Sequence, residues 1–229
     1  MKQSADAPGT HGPRPPTCMY LPPQFATTDP AIALALMRAH PFAQLITTDD
    51  DGFPFLTPLP LHVVEAGEGG EGLTLLGHVA RPNPQAAHLR ARPQALAVFN
   101  GPHAYMTPRV YPDLQRVPTW NYLTVQARVE ARFIESFDDK DRLLKHLIHD
   151  HDPAYAEQWR GLPEDFQHKL MQGIHAFELR VLELRCKVKL NQHRRESHAA
   201  MLRLYEQGGE QEQALAGWMR RLNLGTTEP

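Results

Sequence analysis

Two long runs of alternating apolar and polar residues, "TWNYLTVQARVEARFIES" at 119–136 and "IHAFELRVLELRCKVKL" at 174–190, flank a stretch with helical spacing. Period-two alternation sends successive side chains to opposite faces, so each run predicts a main strand of a sheet. The second strand returns late, after helices predicted in "DDKDRLLKHLIHDHDP" and "PEDFQHKLMQG", and ties the end of the chain to strands made before them. Upstream, "TTDPAIALALMRAHP" predicts a helix with Thr28 or Asp29 as cap, Pro30 in its first turn and Pro41 ending it near His40. "FAQLITTDDDGFPFLTPLPLHVV" reads as two strands around an acidic turn, with Pro54, Pro58 and Pro60 placing the second near an edge, a bend or a bulge. After the loop "EAGEGGEG", "LTLLGHV" is a strand and "NPQAAHLRARP" a short helix capped by Asn83, and "QALAVFNGPHAYMTP" reads as strand, Gly-Pro corner, strand.

The fold class is therefore mainly β with helices, α+β, and a closed or split barrel fits it, with a sandwich left open by periodicity alone. Residues 1–18 are rich in Pro, Gly and small polar residues and read as a disordered leader; 19–192 form the barrel domain, with a helical insertion at about 138–172, and 193–229 a helical tail. The formal net charge of −2 argues against a protein that coats nucleic acid through phosphate neutralisation. Cys18 and Cys186 match neither a disulfide framework nor a metal motif, and no apolar stretch has the length of a membrane span, so a cytoplasmic protein is expected.

Four clusters are candidates for chemistry. In "GHVARPNPQ", Arg81 stands between a strand end and the Asn83–Pro84 helix start, an arrangement suited either to an anion or to a surface ion pair beside a structural cap. In "FNGPHAYMTPRVY", His103, Tyr105, Thr107 and Tyr111 lie near chain kinks and line either a planar ligand or a core. In "VPTWNYLTVQARVEARF", Trp120, Tyr122, Thr124 and Gln126 share one strand face, while Asn121, Leu123 and Val125 share the other. "KVKLNQHRR" crowds four basic residues and two amides at a strand end. The chain holds 13 histidines, and His146, His149, Asp150 and His151 fall near one helix end, but no second cluster follows at motif-like distance, so no metal site is expected. Gly-x-Ser-x-Gly, Gly-x-Gly-x-x-Gly and Walker motifs are absent from the sequence.

"MYLPPQF" at 19–25, "AHPFAQLIT" at 39–47, "GHVARPNPQ" at 77–85, "GPHAYMTPRVY" at 101–111, "VPTWNY" at 117–122 and "KVKLNQHR" at 187–194 together resemble the PaiB-type FMN-binding negative transcriptional regulators. The resemblance implies an FMN-binding split β-barrel, related in fold to pyridoxamine phosphate oxidases, that forms a homodimer with FMN at the subunit interface. It implies Arg81 as ligand of the flavin phosphate, with His78, Ala80 and Asn83 as neighbouring contacts, and the backbone of Leu56, Thr57, Pro58 and Leu59 beside the isoalloxazine. Gln126 stands where related oxidases carry a flavin-contacting glutamine and PaiB-like chains often carry histidine. Lys189, Asn191, Gln192 and Arg194 are implied on the cofactor or substrate side of the pocket, and Tyr105 and Trp120 as its aromatic walls. A regulator, with DNA contact through "HRRESHAAMLRLYEQ" weakly supported, is the first functional expectation. A flavin-dependent oxidoreductase acting on a small substrate is the second, and a haem-handling barrel the third.

Overall fold

The computed structural model describes residues 19–65, 72–113 and 115–225; the expected leader and most of the "EAGEGGEG" loop lie outside these. Among the described residues there are seven strands in one antiparallel sheet: β1 (Phe42–Thr48), β2 (Pro54–Pro60), β3 (His62–Val64), β4 (Thr74–Ala80), β5 (Gln94–Met106), β6 (Thr119–Ile134) and β7 (Ile174–Lys189). Their order is β2-β1-β5-β6-β7-β4-β3. The two ends of that order, β2 and β3, are consecutive in the chain with only Leu61 between them, so the sheet curls round and closes on its own backbone. This is the expected barrel; the sandwich is excluded. β2 pairs only with β1, which leaves room for its three prolines, since a residue without an N–H is tolerated where no ladder bond is required.

Alternation along the strands fills the barrel. Leu45, Phe99, Leu123, Val125, Phe177 and Leu179 are fully or almost fully buried inside it. Helix α1 (Pro30–Ala39) starts where Asp29 accepts a hydrogen bond from the Ala31 N–H at 2.9 Å, and it inserts Leu36 and Met37 into the same core. The last two helices, α6 (His198–Glu206) and α7 (Glu210–Arg221), pack there too. Met201, Tyr205, Leu215 and Met219 belong to the barrel core, so residues 193–225 share its packing. Three helices fill the insertion, α3 (Phe137–His151), α4 (Tyr155–Gly161) and α5 (Glu164–Gln172), and the middle one falls in a stretch that carries no helical signal strong enough to single it out. Leu143 and Leu147 of α3 cover Leu76 and Ala176 on the outer wall in a second, smaller apolar cluster.

The expected Gly-Pro corner is a bulge. β5 runs unbroken from 94 to 106, and its register against β6 shifts between Asn100 and His103. At Gly101 an added Cβ would stand 2.6 Å from Leu36 Cδ1 and 3.2 Å from the Leu123 carbonyl oxygen, so α1 and β6 approach the strand more closely than any side chain would allow.

Candidate functional site

The candidate residues fall into three groups. The first is the corner where β4 ends. Leaving the sheet, the Arg81 N–H donates to the Gly173 carbonyl at 2.8 Å, and its Nε donates to the Gln172 carbonyl, which holds the guanidinium against the end of α5. Its two terminal nitrogens have no protein partner among the described residues. Beside it, Asn83 Nδ2 donates to Thr57 Oγ1 at 3.1 Å, and Asn83 Oδ1 accepts from the Gln85 N–H at 2.9 Å. Both ends of the Asn83 amide are thereby used, and the Thr57 hydroxyl keeps its proton for another acceptor. Buried Gln85 ties the corner to the sheet by donating to the Leu45 carbonyl at 2.8 Å.

One expectation changes at this corner. Helix α2 (Gln85–Ala91) is only seven residues long, and Asn83 already occupies its first free N–H, so the helix start offers an anion little. The chemistry lies with the anchored guanidinium, whose free terminal nitrogens are donors suited to a phosphate-sized anion. His78 stands two residues before Ala80 on the outer face of β4. Its Nδ1 is buried without a partner, and burial holds the ring below the ordinary histidine range, so it is neutral at pH 7.

The second group is a row across the barrel wall. Pro58 pairs with Gln44, Gln44 with Val98, Val98 with Gln126, and Gln126 with Arg185. At about 4.8 Å per strand, Gln126 lies roughly 14 Å from Pro58 at the same level of the wall. Beside this row Leu56, Ile46 and Leu96 form an apolar one, with Leu56 48% exposed. Leu59 differs, because its side chain is buried in the barrel core and only its backbone faces outward.

The third group lies further along β6. Tyr105 and Trp120 are register partners whose rings meet edge to face at 6.0 Å, and both are about half exposed. Trp120 is roughly 20 Å of extended strand from Gln126. The Lys189 ammonium donates to Thr119 Oγ1 at 2.6 Å and to the Trp120 carbonyl, while burial, followed by the charge of Lys187, lowers its pKa. Asn191 and Gln192 hold the turn after β7. Asn191, in the left-handed region with φ 62°, donates to Tyr111 Oη at 2.9 Å and to Ser197 Oγ at 2.8 Å. Gln192 closes on its own chain, accepting from the Leu190 N–H and donating to the Val188 carbonyl. Lys189, Asn191 and Arg194 line a pocket of about 330 Å³ that Arg81 does not share.

Sequence reasoning missed Thr47, whose buried hydroxyl accepts from Gln85 Nε2 at 3.3 Å, together with Gln85 and Arg116. Gln85 reads as an ordinary first-turn residue, and only the fold shows that its side chain clamps two strands, β1 and β2. In the histidine group, His62 and His146 stack at 5.0 Å and His62 meets Asp150; among the described residues no set of three ligands is arranged for a metal.

The family model described as "Putative FMN-binding domain" matches residues 19–183. The "Protease synthase and sporulation protein PAI 2" of Bacillus subtilis (strain 168) is 29% identical over 183 residues, 78% of this chain and 84% of its own length. Among solved structures, the flavocytochrome Anf3 from Azotobacter vinelandii superposes with a TM-score of 0.58 at 18% identity, covering 73% of this chain and 70% of that one. The FAD and heme binding protein from Mycobacterium smegmatis gives 0.55 at 18% identity, covering 72% and 73%. These two likenesses show a shared fold. With the family model spanning most of the chain and reaching into the last strand of the barrel, the protein belongs to the PaiB-type family of FMN-binding split barrels, and FMN is its cofactor.

Proposed function

We propose that the protein is a homodimeric PaiB-type regulator that acts in the cytoplasm and holds FMN by its phosphate at the Arg81 corner. The observation that carries the flavin assignment is the guanidinium, fixed through Nε to the Gln172 carbonyl with both terminal nitrogens unpartnered among the described residues. This donor set fits a phosphomonoester in charge and in hydrogen-bonding capacity. Asn83 positions Thr57, and His78, on the same strand as Ala80, carries a buried Nδ1 without a partner. A phosphate there lets the ring system lie along the wall over the backbone of residues 56–59 towards Gln126. When bound, FMN supplies hydride and electron transfer; the residues around it bind and orient it.

The aromatic pair supports the dimer. A flavin reaching from Arg81 to Gln126 leaves Tyr105 and Trp120 of the same chain about 20 Å further on, beyond contact. A second copy docked on the apolar row of Leu56, Ile46 and Leu96 brings its own pair to the ring. The regulatory role rests on the family and on the PAI 2 relative. Direct reading of DNA has thin support, because α6 and α7 spend Met201, Tyr205, Leu215 and Met219 on the core. A second reading, a flavin-dependent oxidoreductase, is favoured by the separate pocket around Lys189 and Arg194.

Arg81→Ala is expected to weaken FMN roughly 10- to 100-fold, the range for loss of a charged hydrogen-bond pair, and riboflavin much less. Titration of flavin fluorescence checks it; equal losses for the two flavins would remove Arg81 from the phosphate. Salt-sensitive binding to a promoter fragment upholds the regulator, and nicotinamide-dependent bleaching of bound flavin upholds the enzyme.

A further inference from the structure

The geometry points to a second ligand site, distinct from the flavin's, that takes a small aromatic carboxylate bearing a hydroxyl or amino group. It lies between the start of β6, the loop before it and the turn after β7, in the pocket of about 330 Å³, a size suited to a small organic molecule. Three cationic side chains, Arg116, Lys189 and Arg194, line it together with no carboxylate. Arg116 is already balanced, since it bonds Asp113 at 2.7 Å and meets Glu196 at 3.5 Å. Lys189 donates only to neutral oxygens and lies over the Phe25 and Tyr122 rings, and the Arg194 side chain has no partner among the described residues. The pocket therefore holds uncompensated positive charge, which a carboxylate would offset.

The walls and floor narrow the class. Phe25 and His193 meet edge to face at 5.7 Å on one side, and Tyr111 lies on another under the Arg116 guanidinium, a lining for a flat ring. Asn121 also lines the pocket and is 0% exposed. Its Nδ2 donates to Tyr205 Oη at 2.9 Å and to Met201 Sδ, whereas its Oδ1 is buried with no partner. An unsatisfied buried acceptor costs about 1–3 kcal/mol, and a ligand hydroxyl or amine would supply the missing donor. A cationic mouth and a buried acceptor together select a ring with an acid at one end and a donor at the other. The inference rests on assigning the flavin phosphate to Arg81, which leaves Arg194 to the second ligand.

The test is calorimetric titration of the FMN-loaded protein with 4-hydroxybenzoate, benzoate and 4-hydroxybenzyl alcohol. 4-Hydroxybenzoate is expected to bind at least tenfold more tightly than the alcohol, which lacks the acid, and several-fold more tightly than benzoate, which lacks the donor. Arg194→Gln should cost about tenfold, and Asn121→Leu, which removes the acceptor, should bring 4-hydroxybenzoate down to the affinity of benzoate. If Asn121→Leu fails to fold, Arg194→Gln alone decides. No heat from any probe at millimolar concentration, an unchanged affinity in Arg194→Gln, or release of FMN as the probe binds overturns the site. Flavin content is read in the same samples: a protein that takes up no FMN counts against the Arg81 assignment, and one that holds FMN but no probe counts against this pocket.

Discussion

His78 combines a partnerless buried nitrogen with a pKa held down by burial, and both tie the corner's stability to pH. Burial lowers His40, His146, His175 and His193 in the same direction. In the unfolded chain these rings take up protons near the ordinary value of 6.5, while the folded chain resists doing so. The unfolded state therefore binds more protons as pH falls below about 6.5, and folding stability is full above that value and declines towards pH 5. The expected outcome is a melting temperature that drops over this window. His78→Phe, which keeps a ring and cannot titrate, should make the drop shallower; an unchanged slope would show that the other histidines set it. Gly77 offers a second test. An added Cβ there would lie 2.6 Å from Leu61 Cδ2 and 3.3 Å from Phe177 Cε2, so Gly77→Ala should cost roughly 1–3 kcal/mol in denaturant unfolding. Residue identity alone leaves Arg81 open between an anion ligand and a surface ion pair. It does not show that Asn83 is spent on Thr57 and Gln85, because that depends on where β2 passes.

At the scale of elements, most of the barrel was legible because its strands alternate cleanly over many residues. β5 was the exception. Gly101 and Pro102 look like a chain reversal, yet the sheet on both sides keeps the strand extended and absorbs the irregularity as a bulge. Gly101 is present for clearance, and its closest fixed neighbour is the Leu123 carbonyl oxygen on the backbone. A backbone atom yields less than a side-chain methyl, so Gly101→Ala should destabilise more than Gly77→Ala and shift signals of α1 as well as β6. Comparable losses in the two variants would show that α1 moves freely. Helix α2 was legible as an element and misleading as a site, since seven residues and a self-made cap leave its start with little field for a ligand.

At the scale of the whole molecule, the candidate residues make sense only when sorted by position. Sequence proximity groups Tyr105 with His103 and Lys189 with Arg194, but it gives no distance between either pair and Arg81, and only the strand order supplies one. The apolar row on β2, β1 and β5, exposed at Leu56 and half-buried at Ile46 and Leu96, turns that sorting into a prediction about assembly. Leu56→Asp should leave the monomer folded, because Leu56 is 48% exposed within one chain, and should convert a dimer into monomers in light scattering while lowering flavin occupancy. A variant that stays dimeric with full flavin would move the interface elsewhere.

The single residue between β2 and β3 has a consequence for how the chain is made. Those strands are adjacent in the chain but stand at opposite ends of the sheet, so the ring cannot be completed locally. The missing member is β7, which sits between β6 and β4 and ends at Lys189. A chain emerging from the ribosome can form the β1–β2 hairpin and the β5–β6 pair, yet it holds an open, two-edged sheet until residue 189 has cleared the exit tunnel. Helices α3, α4 and α5 are synthesised during that interval, and α3 ends packed over Leu76 and Ala176 on the outer wall. Birth of the barrel is thus a late event, and the Arg81 corner, whose anchor is the last residue of α5, is completed only with it.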